Sequence, residues 1–136
     1  IAGLVFDVLR RRTSSAWLMD ADTPRARLLG MLRLERGLDA DAVAALCDGG
    51  RFAPDPLTDS ERAALTSRST KDAPAHIAGD YPEWLDPQFA AVFGETRVAE
   101  AIAMAQRNAQ RNIHREHARR TVGEAGAPER GAGGTR

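Results

Sequence analysis

At 136 residues the chain is long enough for one domain, or one domain with a tail, and not for several. Its 19 basic and 19 acidic residues cancel, which excludes a global field drawing the protein onto nucleic acid or an anionic membrane. A lone cysteine, Cys47, excludes an internal disulfide and fits a reducing cytoplasm, and no apolar run approaches the ~18–20 residues of a membrane span.

Hydrophobic residues make up 43% of the chain, enough for a core, but alanine carries much of that share while Val and Ile are few. The composition therefore leans to helix rather than sheet. Charge is unevenly spread: residues 1–94 hold 11 basic and 14 acidic side chains, and residues 95–136 hold 8 and 5. The positive end is local to the C-terminal part.

In chain order, Leu4, Val5, Val8 and Leu9 recur at helical spacing in "GLVFDVLRRR". This is an amphipathic helix ending in a basic turn, Arg10 to Arg12, which suits a helix C-terminus. Ser14 or Ser15 is then placed to cap a short helix carrying Trp17 and Leu18. In "DTPRARLLGMLRLERG", Thr23 is the expected cap, Pro24 takes the first helical position and Gly37 stops the run. "DADAVAALC" is another short helix, and "DGGRFAPDPL" is a loop, because its glycines and prolines cannot continue one. "TDSERAAL" carries a capping box, Thr58 with Glu61. Residues 66–79 are polar and irregular, a linker. Asp80 and Asp86 each precede a short helical pattern, with Pro82 and Pro87 near its start. From Glu95 the pattern is continuous helix to about Arg119, and Gly123 onward marks a disordered tail. With no strand pattern and no repeat, the fold class is all-α.

Four of the seven aromatic residues, Tyr81, Trp84, Phe89 and Phe93, fall in one stretch. Leu85, Phe89, Val92 and Phe93 share one helical face, which points to packing. A base-stacking platform needs a basic groove, and the neighbours here are Asp80, Glu83, Asp86 and Glu95. Two basic groups are the candidates for phosphate contact. Arg10, Arg11 and Arg12 join Arg25 and Arg27 if their helices lie side by side, and Arg107, Arg111, Arg115 and Arg119 form a stripe by their spacing of four. A solvated helix face is the alternative reading of both.

His114 and His117 are spaced to share a metal, but no further ligands lie near, so no metal is expected. His76 stands alone in a loop, and Cys47 reads as a buried small side chain rather than a nucleophile. No glycine-rich strand-to-helix turn is present to cradle a cofactor. No active site assembles.

"VFDVLRRRTSSAW" (5–17) and "DYPEWLDPQFAAVFGE" (80–95), with "RARLLGMLRL" and "APDPLTDSERAAL" between them in order, resemble the N-terminal region of the Sun/Fmu-type, RsmB-like ribosomal RNA cytosine methyltransferases. The resemblance covers roughly residues 1–106 and is closest to the alphaproteobacterial form. It implies a helical RNA-binding domain similar to the antitermination factor NusB over 1–66, N-terminally truncated. Linker and connecting helices over 67–106 then lead towards an S-adenosylmethionine-binding catalytic domain. In that domain one cysteine attacks carbon-6 of cytosine, the methyl goes to carbon-5, and a second cysteine assists release. This chain has neither cysteine motif, so no catalytic residue carries over, and no cofactor or activity is expected of it alone. The implied partners are ribosomal RNA and a missing catalytic domain docking through Trp84, Phe89 and Phe93. Residues 107–136 depart from the family, and their Ala, Arg, Gly and Thr richness is what a GC-rich gene yields out of frame. The chain thus reads as truncated at both ends. Two alternatives stand beside this: a free-standing NusB-like regulator with a protein partner, and a truncated product without function.

Overall fold

The computed structural model describes residues 2–124, with side chains left undescribed at 109, 112, 113 and from 115 on. Among the described residues the protein is all-α, as its composition leads one to expect: α1 (Ala2–Arg10), α2 (Arg12–Met19), α3 (Pro24–Leu34), α4 (Ala40–Leu46), α5 (Asp59–Ser67), α6 (Ala75–Ala78), α7 (Asp86–Phe93) and α8 (Arg97–Glu124), with 3₁₀ turns at Glu83–Leu85 and Gly94–Thr96. The chain divides into two compact units, Ile1–Ile102 and Ala103–Arg136. Residues from 125 on, where most of the tail's glycines lie, fall outside the described residues.

Local chemistry explains most boundaries. Thr23 Oγ1 accepts the Ala26 N–H at 3.1 Å and Pro24 opens α3, as read from the sequence. Asp39 caps α4 through the Ala42 N–H at 2.8 Å. The capping box of α5 is complete, Thr58 Oγ1 accepting from Glu61 N and Glu61 Oε2 accepting from Thr58 N. The long C-terminal helix starts at Arg97 and runs past Arg119 to Glu124.

The core sits where α3 meets α2, α4 and α5. Leu29, Met31, Val43 and Leu65 are all but sealed from solvent, with Met19, Leu32 and Cys47 around them. Gly30 is the contact point of α2 and α3: a Cβ there would lie 2.6 Å from Ser15 Cβ, so only glycine lets the two backbones approach this closely. Ser15 Oγ, wholly buried at that crossing, has no hydrogen-bond partner among the described residues.

Three local expectations are corrected. Arg10 to Arg12 do not form one basic turn: α1 ends at Arg10, and Arg12 already belongs to α2. Ser14 and Ser15 are not caps but buried interior residues of α2. Val92 leaves the shared face expected for it and is 73% exposed, while Leu85, Phe89 and Phe93 are half-buried.

Candidate functional site

The two stretches richest in distinctive sequence, 5–17 and 80–95, meet at Asp80. The first turn of α2 has no side-chain cap of its own. Its orphan donors are taken instead by Asp80: Oδ1 accepts the Thr13 and Ser14 N–H groups, each at 2.9 Å, and Oδ2 accepts the Ser14 hydroxyl. Arg11 stands beside it, 3.8 Å from Oδ2, and donates through Nε to Glu35 at 2.9 Å. Asp80 holds a left-handed φ of 54°, uncommon for a non-glycine residue and compensated by this set of contacts. Burial pushes its carboxyl above the usual range, against the lowering effect of Ser14, Arg11 and Thr13.

Beyond Asp80 the segment is held by polar and aromatic contacts. Tyr81 donates its hydroxyl to Asp86 Oδ1 at 2.6 Å, and Arg97 Nε donates to the same oxygen at 3.0 Å. These two donors keep the Asp86 carboxyl low, Tyr81 contributing most. The Tyr81 ring lies 4.7 Å from Phe89, which meets Phe93 edge-on at 5.8 Å. Phe89 therefore packs on Tyr81 and Phe93 on Phe89, whereas Trp84 stands out into solvent, 71% exposed. The three aromatics expected to dock together are split between an inner stack and an outer surface.

The five candidate arginines are also split. Arg25 is a strut: Nε and an NH2 group donate to Glu61 at 2.8 and 3.0 Å, and the same nitrogen reaches the Asp55 and Pro56 carbonyls at 2.9 and 3.1 Å. That bidentate contact holds the Glu61 carboxyl low. Arg11 is committed to Glu35 and Asp80 as described. Arg10 pairs with Asp7, which Arg36 also contacts. Arg27 donates to Asp22 at 2.7 Å, and the Asp22 carboxyl is lowered chiefly by that bond, with a smaller pull from Arg12. Arg12 is exposed. The structure thus pairs Arg27 with Asp22, leaves Arg12 exposed, and takes Arg11 and Arg25 into the scaffold.

On α8, Met104, Arg107, Arg111 and His114 share one face, and Arg107, Arg111 and His114 are exposed. The side chains of Arg115, His117 and Arg119 lie outside the described residues. Among the described residues no group of three or more potential ligands gathers for a metal, and no helix is long and apolar enough to cross a membrane. Cys47 is buried, and that burial pushes its thiol up, the reverse of an activated nucleophile.

Sequence reasoning missed two features. Asp80 caps a helix 66 residues away, a separation that leaves no local signal. Arg51 and Phe52 sit at the tip of the α4–α5 loop, where an aromatic between Gly-Gly and Pro was the available sign. No family model, no curated protein and no solved structure matches the chain.

Proposed function

We propose that this chain is the RNA-engaging helical part of an S-adenosylmethionine-dependent ribosomal RNA cytosine-C5 methyltransferase, similar to NusB in its first 66 residues and without catalytic groups of its own. The observation that carries this reading is the meeting of 5–17 and 80–95 at Asp80. Those are the two stretches with the strongest resemblance to that family, and a shared anchor gives a physical reason for both to be kept together. Phosphate contact falls to Arg12 and Arg27, with Arg10 beside them in sequence. Each guanidinium has five donors, and the single carboxylate contacts of Arg10 and Arg27 leave donors for a phosphate. Trp84 and Val92, both exposed, suit the docking of a catalytic domain.

A second reading has its own observation. α1 has no buried residue, and Leu4, Val5, Phe6 and Leu9 stand exposed along it, as a free-standing regulator with a protein partner would need. Fluorescence anisotropy with a ribosomal RNA stem-loop at rising salt separates the two. The RNA reading expects binding that falls steeply as salt rises, the log–log slope being about −0.7 to −0.9 for each phosphate neutralised. No binding at low salt, or binding indifferent to salt, overturns it.

A further inference from the structure

We infer that the Arg51–Phe52 tip of the α4–α5 loop is a stacking contact for a single-stranded nucleobase, with Arg51 placed for the adjoining phosphate. This rests on the RNA-binding reading above and adds a site to it. Phe52 is 93% exposed, the most exposed large hydrophobic side chain described, so it contributes almost nothing to the core. Yet the loop that carries it is built. The Gly49 N–H donates to the Pro54 carbonyl at 3.0 Å and the Ala53 N–H to the Gly50 carbonyl at 3.1 Å, closing the tip. Asp48 Oδ1 accepts the Gly50 N–H at 2.9 Å, and Gly49 supplies a φ of 72°. The Arg25 strut clamps the Asp55 and Pro56 carbonyls on the far side. A presented ring on a braced loop loses little entropy on binding.

The choice of a base over a protein pocket comes from Arg51, whose guanidinium carbon lies 5.2 Å from the centre of the Phe52 ring. A pocket deep enough to take the ring would also strip water from that cation. A base stacks on the open face and leaves the guanidinium for phosphate. Both Phe52 and the exposed Trp84 have carboxylates near in sequence, Asp48 and Asp55 for the one and Glu83 and Asp86 for the other, but among the described residues only Phe52 has a guanidinium over its ring.

The test uses the full chain and a short single-stranded oligoadenylate carrying a fluorescent adenine analogue. Phe52→Ala should weaken binding about tenfold and abolish the stacking quench, by the same factor at low and high salt. Phe52→Trp should keep both. The ring is outside the core, and an unchanged circular dichroism melt confirms the fold. If the wild type binds and Phe52→Ala binds equally well, this inference falls and the RNA reading survives. The same holds if the loss varies with salt, as for a charge contact. If the wild type does not bind at low salt, this inference falls, and the stem-loop titration decides the RNA reading separately.

Discussion

The α2–α5 bundle and the 75–97 segment are held together by different physics. In the bundle, Leu29, Met31, Val43 and Leu65 exclude solvent almost completely. In the segment only Gly79 is buried, and a carboxylate, a tyrosine hydroxyl and three rings in tilted and edge-on contact hold the chain. Apolar burial is non-directional and stabilises by area. Polar anchoring is directional, contributes less net free energy, and fixes where a segment sits. The bundle is thus the part that keeps the protein folded. The segment is the part whose position is specified.

The sharpest way to break this contrast is to cut the bundle. Leu29→Ala removes a side chain with no solvent exposure and should cost about 3 kcal/mol, lowering the denaturation midpoint of bundle and segment together. A loss confined to the bundle, with the segment still protected in hydrogen exchange, would show that the two are independent.

Next in size is Asp80→Ala. It leaves the Ser14 N–H without its acceptor, and the Ser14 hydroxyl with only the Arg11 carbonyl at 3.3 Å, in a part-buried site, a cost of about 2 kcal/mol. Amide exchange should quicken at the start of α2 and across 75–97, while Leu29 and Val43 stay protected. Uniform loss across the bundle would erase the distinction between core and segment.

A smaller effect lies in the pH dependence, where Glu61 of the bundle and Asp80 of the segment have opposite signs, Asp86 having the same sign as Glu61. Glu61 has a lowered carboxyl, so its contribution is present above its ordinary value of 4.5 and is lost as pH falls through the folded value. Asp80 has a raised carboxyl, so its contribution is full below 3.8 and is lost as pH rises through the folded value. Asp80→Asn removes the second term. Urea melts of that variant should therefore show stability rising more steeply with pH, from 3.8 upward, than in the wild type. Parallel pH profiles would mean that Asp80 titrates as it does in the unfolded chain.

The same contrast decides how much was legible in the sequence. The bundle's helices follow from apolar spacing and from local caps, because Thr23 to Ala26 and Thr58 to Glu61 are interactions within one turn. In the segment α7 was legible, from Pro87 and the Phe89–Phe93 spacing, whereas α6 (Ala75–Ala78) lies in the stretch 66–79 that reads as irregular linker. What held them was not. Asp80 looks like a local cap and serves a distant helix, and Val92 fits the apolar face yet points away from it. The basic residues show the same limit. Arg10, Arg11, Arg12, Arg25 and Arg27 read as one patch if their helices lie side by side, but whether an arginine is surface or strut depends on which carboxylate the fold delivers. Glu61 reaches Arg25 and Glu35 reaches Arg11 across 36 and 24 residues.

The central claim, that RNA engagement is electrostatic and sits on the arginines that no distant carboxylate ties down, is tested most directly by one salt titration. Wild type, the double variant Arg12→Ala/Arg27→Ala, and Arg107→Ala/Arg111→Ala are compared on the same ribosomal RNA stem-loop by anisotropy. The first pair should flatten the log–log salt slope by about 1.4 to 1.8, two phosphate contacts' worth, with an unchanged melting temperature. A slope identical to wild type, or one flattened only by the Arg107/Arg111 pair, would contradict the account.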